Sequence, residues 1–176
     1  MSADTEFTDT ANQVDVVAAA IRRALTIQAA DLLAYFERRV AHHDAPDLVS
    51  EVMVTAWRRA GVLPAEPEQA RMWLFGIARN VLANAARADR RRWRLAGRLQ
   101  PERFRPHVLS APAADDGDEV RDAVARLRPD DAELIRLVHW DGFSVAETAV
   151  LLGIPASTAR SRHQRIKEQL RAVLSG

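Results

Sequence analysis

The sequence contains no cysteine. That excludes a disulfide framework and any cysteine-ligated zinc site, and it fits a reducing compartment. Lysine is nearly absent too: of 25 basic residues, Lys167 alone is not an arginine. No apolar run approaches the ~18 residues of a membrane-spanning helix. Residues 1–20 hold Asp4, Glu6, Asp9 and Asp15 with no basic residue, unlike the start of a signal peptide. The expectation is a cytoplasmic protein without direct membrane insertion. Catalytic signatures are missing as well. There is no glycine-rich phosphate loop, no His-Glu-x-x-His, no cysteine nucleophile and no serine with a His-Asp arrangement the sequence supports. His42 and His43 sit together in a turn and read as surface rather than as metal ligands. Neither enzyme activity nor a cofactor, a metal or a small-molecule substrate is expected.

What is present is helix. Hydrophobic residues make up 48% of the 176, enough for ordered cores, and no strand alternation or internal repeat competes with helical spacing. After a loose tail over residues 1–12, apolar residues recur at helical steps from Val14 to Ile27. They do so again from Asp31 to Val40. Pro46 opens a third helix whose apolar face is Leu48, Val49, Val52, Met53, Ala56, Trp57 and Ala60, with Asp47 and Glu51 one turn apart on another face. Gly61, Pro64 and Pro67 mark a loop through Gln69. A long helical stretch from Ala70 to Arg94 then puts Leu74, Ile77, Ala78, Val81, Leu82 and Ala85 inward. It gathers Asn80, Asn84, Arg87 and Arg91 on one face. Two amides running into arginines have the chemistry to touch bases and then phosphates.

The formal charge of +1 does not by itself suggest a nucleic-acid binder, but its distribution does. The region from Arg87 to Arg105 is dominated by arginine, whereas Asp115, Asp116, Asp118 and Glu119 cluster beyond it. Between them, Pro101, Pro106 and Pro112 and diluted apolar content read as a linker. The organisation expected is an all-α chain with a first domain over 13–97, a linker over 98–117 and a second domain over 118–176. In that second domain Pro129 starts a helix bearing Leu134, Ile135, Leu137, Val138 and Trp140, ended by the Asp141–Gly142 turn.

Ser144 and Glu147 have the spacing of a capping box. Val145, Ala149, Leu151 and Leu152 follow at helical steps, Gly153 can end that helix in a left-handed conformation, and Pro155 can open the next. Ala149 and Gly153 are small where the two helices should come closest. The last helix has an inner stripe of Ala159, Ile166, Leu170, Val173 and Leu174. A short capped helix, a glycine turn and a basic helix make a helix-turn-helix. The residues available to a duplex are Ser157, Thr158, Arg160, Ser161, Arg162 and Arg165. Counting round from the inner stripe, Arg160 and Arg162 flank the far side as base readers, and Arg165 faces the backbone.

The stretch GIPASTARSRHQRIKEQL, with LRPDDAELIRLVHWDGFSVAETAVLLG before it, resembles region 4 of bacterial sigma factors of the extracytoplasmic function (ECF) group. Ala159 stands where the family usually has valine and His163 where leucine is frequent. APDLVSEVMVTAWRR is similar to the family's polymerase-binding helix in region 2, with Pro46 and Ser50 as departures. RMWLFGIARNVLANAARADRRR resembles the part of region 2 that takes the minus-10 element. The resemblance spans roughly Leu32 to Leu174. It implies that Asp47, Leu48, Glu51, Trp57 and Arg58 meet the β′ clamp helices of core RNA polymerase, whose β flap is a further contact. Trp73, Arg79, Asn80, Asn84, Arg87 and Arg91 would hold the melted minus-10 strand, one base flipped into a pocket. Trp73 is either core or a stacking platform. The last helix would read the minus-35 element, and an anti-sigma factor would be a partner. The alternative is a stand-alone helix-turn-helix regulator with an N-terminal helical dimerisation domain. A helical interaction protein with no DNA role is a third reading. The APDLVSEV helix and the asparagine-arginine face separate these readings, and a plain regulator has no reason to carry them.

Overall fold

The computed structural model describes residues 3–95 and 117–174. Every element among them is helical, as the apolar spacing predicts. The chain divides into two compact units, Met1–Arg103 and Phe104–Gly176. The linker expected over 98–117 lies outside the described residues, except that Gly117 opens a helix.

The first unit contains α1 (Ala3–Glu37), α2 (Ala45–Arg58), a single 3-10 turn (Ala60–Val62) and α3 (Pro67–Leu95). The expected loose tail is helical from Ala3, and the two helices expected before residue 40 are one. The physical reason is that no glycine or proline precedes Pro46. Nothing therefore breaks the hydrogen-bond ladder between Ile27 and Asp31. Pro67, expected as a breaker, begins α3 instead. Its ring sets a helical φ, and its missing N–H is one that a first turn leaves unpaired in any case.

Ile21, Leu32 and Phe36 of α1 pack with Leu48, Val52 and Ala56 of α2 and Leu74, Ile77 and Val81 of α3 as the core of this unit. Tyr35 and Phe75 are fully buried as well. Tyr35 meets Phe36 edge-on at 5.2 Å and Phe75 at 5.5 Å. Such pairs add about 0.5–1.5 kcal/mol beyond their buried area. Neither Tyr35 nor Phe75 belongs to the apolar faces expected from spacing. Three helices meeting at one place enclose a wider arc of each than a single stripe. Arg39 is buried beside them, its guanidinium 3.7 Å from the Tyr35 ring centre and Nη1 donating to the Tyr35 carbonyl at 2.9 Å.

The second unit contains α4 (Gly117–Ala125), α5 (Pro129–His139), α6 (Val145–Leu152) and α7 (Ala156–Leu174). Val124, Leu127, Leu134, Ile135, Ala149, Ala159 and Ile166 form one buried cluster, with Trp140, Leu152 and Leu170 packed against it. The capping box is present: Ser144 Oγ accepts from the Glu147 N–H at 3.1 Å, and the Ser144 N–H donates to Glu147 Oε2 at 2.7 Å. Gly153 takes φ 67° and ψ 34°, and the Ile154 N–H then reaches the Ala149 carbonyl at 3.0 Å. A β-carbon at Gly153 would meet nothing within 4 Å. The glycine is there for its backbone conformation, then, and the close approach expected of it falls to Ala149 and Ala159, both buried.

Candidate nucleic-acid interface

On α3 the buried residues Ala70, Leu74, Ile77 and Val81 fix which side turns outward. At about 100° per residue, Trp73, Asn80, Asn84, Arg87 and Arg91 fall on one strip. All of these are exposed except Trp73, which is half-buried. Arg79 is half-buried and points about 100° away from Asn80, off that strip. Arg87 donates to Asn84 Oδ1, which leaves the amide's own N–H groups turned to solvent as donors. From Asn80 to Arg91 the strip runs about 16 Å, at ~1.5 Å rise per residue. The chemistry changes along it from amide to guanidinium.

On α7 the buried Ala159 and Ile166 again set the orientation. Ser157, Ser161 and Gln164 lie on the opposite side, exposed, with Arg160 exposed next to them. Gln164 did not figure among the expected residues, although its spacing from Ser157, Arg160 and Ser161 would have found it. It donates to Glu168 Oε1 at 2.8 Å, which orients an amide suited to an adenine edge. Arg162 is half-buried, as is Thr158. The expectation that Arg160 and Arg162 share the far side is corrected for Arg162. Two residues on, a helix has turned about 200°, which carries Arg162 toward the inner stripe. Ser161 donates its hydroxyl to the Thr158 carbonyl at 3.1 Å.

Two links tie α7 to α5. Arg165, expected at the DNA backbone, donates through Nη2 to Asp131 Oδ2 at 3.1 Å. Asp131 is buried and also accepts from Arg128 Nε at 3.0 Å and Nη2 at 2.9 Å. His163 Nε2 lies 3.0 Å from His139 Nε2. The ring centres are 5.3 Å apart with 21° between the planes. That separation equals the N···N distance plus one ring radius on either side, so the rings meet edge to edge and in line. Burial pushes the His163 pKa below the usual histidine value, with His139 and Lys167 adding to the effect.

On α2 the inner residues are Leu48, Val49, Val52 and Ala56. Asp47, Glu51 and Arg58 are exposed on the outer side, as are Val54 and Trp57, each 49% exposed. Trp57 therefore leaves the apolar face on which spacing placed it. Leu48 anchors the helix from beneath and has little surface to offer a partner.

Among the described residues no group of three or more His, Asp or Glu could hold a metal ion, and no helix is long and apolar enough to cross a membrane. Residues 28–92 match the family model for sigma-70 region 2, and residues 117–170 match that for sigma-70 region 4. The ECF RNA polymerase sigma factor SigL of Mycobacterium tuberculosis is 32% identical over 161 residues, 89% of this chain and 90% of its own length. The ECF RNA polymerase sigma factor BldN of Streptomyces coelicolor is 31% identical over 146 residues, 74% of this chain and 50% of that protein. The fold is similar to that of the sigma factor RpoE of Bartonella quintana, solved with the anti-sigma factor NepR. The TM-score is 0.59 at 23% identity, over 95% of this chain and 97% of the other. With both sigma-70 regions matched in order along the chain and SigL 32% identical over 89% of it, the chain belongs to the ECF RNA polymerase sigma factors.

Proposed function

We propose that this chain docks on core RNA polymerase through the outer face of α2, takes the melted minus-10 strand along α3 and reads the minus-35 duplex with α7. The observation that carries this reading is that both matched regions present an exposed polar strip on a basic helix. One strip has amides leading into arginines, the other hydroxyls and an amide flanked by arginine. Asn80 and Asn84 offer hydrogen bonds to base edges that a duplex hides, while Arg87 and Arg91 suit the phosphates that follow. Ser157, Arg160, Ser161 and Gln164 suit the floor of a major groove. The outer face of α2 combines Asp47, Glu51 and Arg58 with Val54 and Trp57, a charged and apolar mixture suited to a protein partner. The domains expected over 13–97 and 118–176 correspond to these two roles. Such a factor acts in the cytoplasm, where core polymerase is, and calls for no catalysis of its own. An anti-sigma protein is a further partner, a reading supported by the NepR complex of RpoE.

The test is the double variant Asp47→Lys, Glu51→Lys. Exposed helix substitutions cost within about 0.5 kcal/mol, so the chain should remain folded. Charge-assisted bonds contribute about 1.5–3 kcal/mol each, so affinity for core polymerase should fall at least about tenfold. A folded double variant that binds core polymerase as tightly as the unmodified chain overturns the α2 assignment. In vitro transcription with core polymerase and a promoter library tests the rest.

A further inference from the structure

We infer that Arg128, together with Arg165, forms a clamp for a backbone phosphate of duplex DNA, aligned by the buried carboxylate of Asp131. The inference rests on α7 lying in the major groove, as proposed above.

Asp131 stands in the first turn of α5 with its side chain 6% exposed, while those of Arg128 and Arg165 are 69% and 55% exposed. One hidden carboxylate thus holds two largely solvent-facing guanidinium groups. Balancing a buried carboxylate takes one cation, and joining α5 to α7 takes only Arg165. Arg128, three residues from Asp131 on the same helix end, is a cation beyond both needs. The three groups together keep one net positive charge. Each guanidinium also retains N–H donors that the Asp131 bonds do not use. Held in this way, the forks are preorganised for a phosphate, and less side-chain freedom is lost when one binds.

The position fits the groove. With Ser157, Arg160, Ser161 and Gln164 over the floor, the helical turn of about 100° per residue carries Lys167 and Arg171 to one side of α7 and Arg165 to the other. A helix in the major groove has a sugar-phosphate backbone along each side, and contacts to both fix its register. The first side has two cations from α7 itself, Lys167 and Arg171. On the second, Arg162 turns toward the core and Arg165 remains, so Arg128, which caps the start of α5, supplies the second cation there.

The experiment uses the full chain and a short duplex selected by that chain from a random-sequence library, with an unrelated duplex alongside. Binding is measured across a series of salt concentrations for Arg128→Gln, Arg128→Lys, Arg165→Gln and Arg160→Ala, each checked for helix content and melting temperature. Arg128→Gln should weaken both duplexes by the same factor, about five- to tenfold near 0.1 M salt. It should also lower the salt slope by about one. Arg128→Lys keeps the charge and should keep the slope. Arg165→Gln should lower the slope as Arg128→Gln does. If both glutamine variants fold and shift only the melting temperature, with slope and affinity unchanged, the pair is a structural tie and the clamp is overturned. Should Arg165→Gln unfold, Arg128→Gln decides alone, since its Arg165–Asp131 link stays intact. Arg160→Ala separates the phosphate clamp from base reading by α7. A changed base preference there with no effect at Arg128 refutes the clamp only, whereas failure of the unmodified chain to select any duplex refutes the groove reading beneath it.

Discussion

Two long arginine-rich helices, α3 and α7, face outward from the two units, and their cations are held in different ways. On α3 the arginines of the outward strip and its end pair along their own helix, Arg87 with Asn84 and Arg92 with Asp89. On α7 the bonds cross to a neighbour, Arg165 to Asp131 and His163 to His139, both on α5. The difference matches the two proposed ligands. A duplex presents its base edges in a fixed groove, so a reading helix must itself be fixed in angle and register. A melted strand has free torsions and can settle onto a strip that is merely well exposed. Cross-links serve the first task, and along the strip the second does without them, although nearer its start α3 is tied to α1 through Arg71, 3.9 Å from Asp31 Oδ2.

The largest effect is expected at the seat of α3. Phe75 is fully buried against Tyr35, so Phe75→Ala should cost about 3–5 kcal/mol. Urea unfolding followed by circular dichroism should then show the first unit melting early while duplex binding through α7 persists. A loss below about 1 kcal/mol would mean that the site collapses freely and that the aromatic cluster does not hold α3 in place.

A smaller effect is expected on the outward strip of α3. Asn80 is exposed and outside the core, so Asn80→Ala should leave folding intact. It should weaken the melted-strand contact by about 0.5–1.5 kcal/mol, the worth of a neutral hydrogen bond. Permanganate reactivity of the open complex should drop while binding to closed duplex stays the same. Normal melting by the variant removes Asn80 from the site.

The smallest effect concerns the histidine link. The His163 pKa lies below the ordinary histidine value of 6.5 when folded, because burial, His139 and Lys167 all oppose its charge. The unfolded chain therefore binds more protons as pH falls below that value, and stability is lost from there down to the folded pKa. Full protonation also leaves two N–H groups facing each other across the link. The melting temperature of the second unit should decline modestly from pH 7.5 to about pH 5.5. His163→Leu should flatten that decline, and an equally steep one in the variant would place the titrating group elsewhere.

Much of this was legible without coordinates wherever the deciding interaction is local. The Ser144–Glu147 box, the left-handed Gly153 and the inward stripe of Ala159, Ile166 and Leu170 follow from local spacing, whereas Val173 and Leu174, expected on the same stripe, are exposed, since α7 runs on past the helices it packs against. The Asn80–Arg91 strip is local too, and its face follows from helical period alone. Misreadings arose where residues compete for a shared space. Spacing put Trp57 inward, but α2 already seats Leu48, Val49, Val52 and Ala56 against its neighbours, and the indole lies outside. It also left Tyr35 and Phe75 out of a core that only the meeting of three helices creates.

By itself, then, the sequence determined the helices, their caps, the order of the two matched regions and the faces that carry asparagine and arginine. The tertiary structure decided which cations remain available and which are engaged. Arg165 and Asp131 are 34 residues apart, as are no residues of a helical turn, and His163 is 24 from His139. Backbone periodicity links residues three and four apart and carries no information about partners at such separations. Those pairs exist because packing Ala149 against Ala159 and Ile166 against α5 brings two helices to one distance and one angle, at which a buried carboxylate and an imidazole can be reached.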